Sequence, residues 1–129
     1  MSTPSPGRRV LLVDDSRDER EMYAEWFRQQ GCCTLQAENA ADAYRLAVEL
    51  TPDVIITGVR LSGSEDGLTL TRRLKQDSLT KNVAVVVLSG YVFHSDDEAA
   101  HRAGCDLVLH KPCLPDALAD AIANLRPRG

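Results

Sequence analysis

The feature that most restricts this chain is an alternation, repeated five times, of a short apolar stretch with a longer amphipathic one. Residues 10–13, 54–57, 83–88 and 107–109 are brief runs rich in Val, Ile and Leu, and 33–37 is a weaker one. Their length and β-branched content predict strands. The run at 83–88 shows no polar alternation, as expected of a strand covered on both faces in a parallel sheet. Between the runs the apolar spacing becomes helical. Met22, Tyr23, Trp26 and Phe27 share one face; so do Ala43, Leu46, Ala47 and Leu50, then Leu70 and Leu74, and finally Leu118, Ile122 and Leu125. A helix needs a period of about 3.6, a strand a period of 2.

Punctuation agrees with the periods. Ser16 and Glu19 read as a capping box, and so do Ser95 and Glu98. Asn39 caps the second helix, and Asp66 or Ser64 the third. Gly31 and Gly104 close the first and fourth helices, Pro52 follows the second, and Pro115 stands in the first turn of the last. Strand then helix, five times over, implies βαβ units, a parallel sheet and helices on both faces. The expectation is a single doubly wound α/β domain over residues 8–126. Residues 1–7 are read as a disordered lead-in and 127–129 as a tail.

Composition narrows the function classes. The chain has 129 residues, 43% hydrophobic and 26% charged, with a formal charge of −4. A mildly acidic chain is a poor direct partner for nucleic acid. No apolar run approaches the roughly 18 residues of a membrane span, and the N-terminus has no secretory pattern. The expected setting is the cytoplasm. Cys32, Cys33, Cys105 and Cys113 form no CxxC pair and no zinc spacing, so they are expected to be buried thiols.

In sheets of this kind ligands meet the carboxyl ends of the strands. Four places lie there: Asp14-Asp15, Gly58, Ser89 and Lys111. Adjacent carboxylates repel each other and favour a hard cation such as Mg2+. The Ser89 hydroxyl and the Lys111 ammonium are suited to a phosphoryl group.

The stretches LLVDDS, PDVIITGVRL followed by DG, VVVLSG and HKP resemble the receiver domain of two-component response regulators, over almost the whole chain. The resemblance implies a flavodoxin-like five-stranded sheet of order 2-1-3-4-5. It implies Mg2+ ligands at Asp14, Asp15 and the Arg60 carbonyl, a catalytic and switch hydroxyl at Ser89, a catalytic lysine at Lys111 and a cis Lys111-Pro112 bond. A histidine kinase is the implied phosphoryl source, and the face built from the fourth helix, fifth strand and fifth helix is the implied contact or homodimer surface, with Val92, Phe93 and Val108 as candidate anchors.

Three positions depart from the family pattern. Gly58 stands where the family has its phosphoacceptor Asp, so it has no carboxylate to attack phosphorus and offers the metal one ligand fewer. Val108 replaces the aromatic switch residue. Ser62 replaces a proline, in a loop one residue longer. Asp53, Glu65 and Asp66 are not placed to substitute for the missing carboxylate. The expectation is a receiver module that is not phosphorylatable as written, either a natural pseudo-receiver or a receiver silenced by an Asp→Gly change. It would not be an enzyme, would bind Mg2+ weakly and would act through protein contacts, alone or as a piece of a larger regulator. The alternative is a Mg2+-dependent phosphotransferase or phosphatase using Asp14. A carboxylate restored at residue 58 is expected to be tolerated by the backbone.

Overall fold

The fold, a computed structural model, describes residues 7–90 and 94–125. In chain order it comprises β1 (Arg9–Val13), α1 (Arg17–Gln29), β2 (Cys33–Ala37), α2 (Ala40–Leu50), β3 (Val54–Gly58), α3 (Gly67–Gln76), β4 (Ala84–Ser89), α4 (His94–Ala103), β5 (Leu107–His110) and α5 (Pro115–Ala123). All strand pairs are parallel, in the order β2-β1-β3-β4-β5. This is the doubly wound, flavodoxin-like arrangement that the alternation and the resemblance called for.

The pleat sorts successive residues onto opposite faces. Leu11, Val13, Ile55, Val85 and Val87 join Ala43, Ala47, Leu70, Leu74 and Ala100 in a core beneath α2, α3 and α4. Val10, Leu12, Ile56, Val86 and Leu88 join Tyr23, Phe27, Leu118 and Ile122 in a second core beneath α1 and α5. The middle of each central strand, Val10–Val13, Val54–Ile56 and Val85–Leu88, is therefore apolar on both faces, and that is why 83–88 carries no alternation.

Several local expectations need correcting. Met22 is 46% exposed, because Ala24 rather than Met22 turns inward beside Tyr23 and Phe27. Helix α4 already begins at His94, so Ser95 lies one position inside it and not at its cap. Leu125 follows the end of α5, half-buried against the α1 side. Of the four free cysteines only Cys32 and Cys105 are buried; Cys33 is exposed on the edge strand β2 and Cys113 is half-buried after β5. Gly7 donates its N–H to the Gly31 carbonyl at 2.9 Å, at the foot of β1. Residues 1–6 and 126–129, and Val92 and Phe93, lie outside the described residues. No described helix is long and apolar enough to cross a membrane.

Candidate functional site

Strand register brings the strand-end residues together. Val13 pairs with Thr57, so Asp14 stands level with Gly58 at the adjacent strand's end. Gly58 pairs with Leu88 and Ser89 with His110, so Ser89 and Lys111 each extend one residue further. The Lys111 N–H donates to the Ser89 carbonyl at 2.8 Å, and the Lys111-Pro112 bond is cis. On the other side of the loop, the Tyr23 hydroxyl donates to the Cys113 carbonyl at 2.6 Å. A cleft of about 620 Å³ results, lined among others by Asp14, Asp15, Gly58, Arg60, Ser89 and Lys111.

Asp14 is buried, and each of its groups has a partner. Its carbonyl accepts from the Arg20 guanidinium at 2.5 Å. Carboxylate Oδ1 accepts from Ser16 N–H at 2.9 Å, and Oδ2 from Lys111 Nζ at 3.0 Å. Lys111 Nζ also donates to Glu19 Oε2 at 2.7 Å. Burial alone would lower the Lys111 pKa, but the Glu19 and Asp14 carboxylates outweigh it and hold the ammonium above its ordinary value. Asp15 is exposed and lines the cleft. Partial burial, then the hydrogen bond and charge of Asp14, raise its carboxyl above the usual range.

Sequence reasoning missed Glu19 as a site residue. Its N–H does donate to Ser16 Oγ, at 3.3 Å, which is half of the capping box. The reciprocal half is absent: Asp14 takes the Ser16 N–H, and the Glu19 side chain goes to Lys111 instead. Nothing local marks this, since the two residues are 92 positions apart.

At Gly58 the missing side chain is not replaced by empty space. A Cβ built there would lie 2.8 Å from Asp14 Oδ2 and 3.7 Å from the Arg60 carbonyl oxygen. Residue 58 sits in extended backbone at the end of β3, as a side chain would need, but Asp14 has taken the room. The backbone thus suits a restored carboxylate, as expected; what the sequence does not show is that the Asp14 side chain must move first. The other acids are engaged elsewhere. Asp53 Oδ2 accepts from Arg9 N–H at 2.7 Å, Glu65 pairs with Arg73 at 2.8 Å, and Asp66 caps α3 by accepting from Thr69 N–H at 2.8 Å. Ser62 uses the N–H that a proline lacks, donating to the Glu38 carbonyl at 2.9 Å. Val108 packs half-buried against the core under α4.

The oxygen set of Asp14, Asp15 and the Arg60 carbonyl is chemically right for Mg2+. The arrangement around it is not. Both Asp14 oxygens are engaged, one of them by an ammonium, and among the described residues no three acidic, His or Cys side chains gather as a metal centre. A hard divalent ion does not fit this cleft as it stands.

Known proteins carry the same frame. The chain is 33% identical over 124 residues to the phosphate regulon transcriptional regulatory protein PhoB of Pseudomonas aeruginosa, covering 95% of this chain but only 54% of that one. The chain thus spans about half the length of that regulator. It is 26% identical to the polar-differentiation response regulator DivK of Brucella anthropi, over 80% of this chain and 83% of DivK. The crystal structure of a putative response regulator from Chloroflexus aurantiacus superposes with a TM-score of 0.85 at 30% identity, covering 92% and 96% of the two chains. Residues 10–123 match the family model for the response regulator receiver domain, and with the strand order and the strand-end cluster already in place, this chain belongs to that family.

Proposed function

We propose that this chain is a receiver module of a two-component system that accepts no phosphoryl group as written and works through protein contacts. The observation that carries the reading is the end of β3, where Gly58 lines the same cleft as Ser89 and Lys111 but presents no carboxylate. An acyl phosphate needs a carboxylate oxygen to attack phosphorus. Asp14, the nearest acid, is held by Ser16 N–H and Lys111 Nζ and is poorly disposed to act as nucleophile. The same engagement argues against an Asp14-dependent phosphotransferase. Receivers pair with histidine kinases and other signalling proteins, so the partner is taken to be one of these, or a second copy, on the face formed by α4, β5 and α5.

Phosphorylation can be tested directly. Intact mass after acetyl phosphate with Mg2+ is expected to show no adduct on the parent. Gly58→Asp is expected to gain one, removable by hydroxylamine, because metal and Lys111 would then face a carboxylate at the strand end. An adduct on the parent would overturn the reading. A folded Gly58→Asp protein without an adduct would mean that the cleft has lost more than its nucleophile.

A further inference from the structure

We propose that Lys111 is the resident cation of this cleft: fixed between Asp14 and Glu19, its ammonium takes the place of a divalent metal, and Glu19 is the positioning residue that keeps it there. The inference rests on the reading that no phosphoryl group is handled at Gly58, and it assigns the cleft a metal-free charge balance.

The geometry supports this at each point. Lys111 Nζ lies 3.0 Å from Asp14 Oδ2 and 2.7 Å from Glu19 Oε2, so one ammonium bridges β1 and the first turn of α1. Its backbone is pinned to β4 through the Ser89 carbonyl. Glu19 is fixed in turn by its own N–H on Ser16 Oγ. A metal would have to take Asp14 Oδ2 from the ammonium, and it would then sit beside that positive charge. The two arms differ in strength. The Asp14 and Lys111 side chains are only 11% and 22% exposed, so water screens that arm weakly, whereas Glu19 is 42% exposed and serves more to aim the lysine than to stabilise it.

The absence of a side chain at residue 58 permits the arrangement. Asp14 Oδ2 lies 2.8 Å from where a Cβ at residue 58 would be, a separation real Cβ atoms do not tolerate. Any other residue at 58 would turn the Asp14 carboxylate away from its present place under Lys111. Loss of the acceptor carboxylate and closure of the metal site are thus one change. Glu19, which lies on a different element, supplies the second anion that the lysine needs.

The test is a Mg2+ titration of the parent, Lys111→Gln and Lys111→Arg, followed by the amide resonances of Asp14, Asp15 and Arg60. The parent and Lys111→Arg, which keeps the charge, are expected to respond weakly and alike. Lys111→Gln leaves the carboxylates of Asp14, Asp15 and Glu19 without their counter-charge and is expected to bind Mg2+ at least about tenfold more tightly. Equal affinity in the parent and a folded Lys111→Gln would overturn the proposal, as would a gain in Lys111→Arg. Should Lys111→Gln fail to fold, the melting temperature of the parent decides: no rise with millimolar Mg2+ is expected, and a rise overturns the proposal. Acetyl phosphate is absent throughout, so failure here is separate from failure of the reading at Gly58.

Discussion

Gly67 and Gly58 are both glycines at the site, and they are glycines for different reasons. A Cβ on Gly67 would lie 1.8 Å from the Gly58 carbonyl oxygen and 2.9 Å from Thr57 Oγ1. The first turn of α3 rests directly on the end of β3, with the Gly67 N–H donating to the Val59 carbonyl at 2.7 Å. Backbone cannot step aside as a side chain can. Gly67→Ala is expected to cost about 3 kcal/mol, by overpacking at a fixed joint. At Gly58 the obstacle is the tip of Asp14, which can turn once it leaves Lys111. There Gly58→Ala is expected to cost about 1 kcal/mol or less, since fewer unfolded conformations offset part of the strain. Urea midpoints at constant slope measure both. Equal losses would show that the close contact at Gly67 is not the constraint.

Helix α3 illustrates how an element is tied at both ends. Asp66 caps its first turn. From its last turn Lys75 Nζ donates to the Val83 carbonyl and to Asp106 Oδ2, each at 2.7 Å, with the side chains of Lys75 and Asp106 only 10% and 9% exposed. Asp106 Oδ2 also accepts the Val85 N–H at 2.8 Å, so one carboxylate joins α3, β4 and the entry to β5. Lys75→Met is expected to cost about 3 kcal/mol, because it strips a buried carboxylate of its ammonium while the apolar replacement recovers little. Lys75→Met combined with Asp106→Asn should cost less than the sum of the two single changes, a coupling that a double-mutant cycle reads. Additive losses would count against a clamp.

Across the whole molecule, two cores lie on opposite faces of one sheet, and the cleft opens at the sheet's carboxyl edge. Helix α4 is tied to that edge by Asp97, both of whose carboxylate oxygens meet His110 Nε2, at 2.9 and 3.0 Å. Val108, lacking an aromatic ring to swing, lies against the core below α4. A ligand moves a two-state face only through differential affinity for its states. With no acceptor at Gly58, the surface of α4, β5 and α5 is expected to keep one conformation. Acetyl phosphate with Mg2+ should leave the amide shifts of residues 107–111 unchanged. Movement of those shifts without a covalent adduct would show that the face answers to another input.

How much of this could be read from the chain alone follows from the range of each interaction. Apolar periods and caps are local, so the five strand–helix units, Asn39 and Pro115 are legible in the chain, Asp66 only as one of two candidate caps, and the strand-end rule singles out Asp14, Asp15, Gly58, Ser89 and Lys111. Met22 and Ser95 were misplaced because a helical face or a cap shifted by one residue leaves nearly the same local pattern. The role of Glu19, the engagement of both Asp14 oxygens and the contact of Gly67 with the Gly58 carbonyl were decided by tertiary structure. Each depends on groups brought within hydrogen-bond or van der Waals reach by parallel register, and no spacing along the chain records which carboxylate an ammonium will choose once strand ends converge.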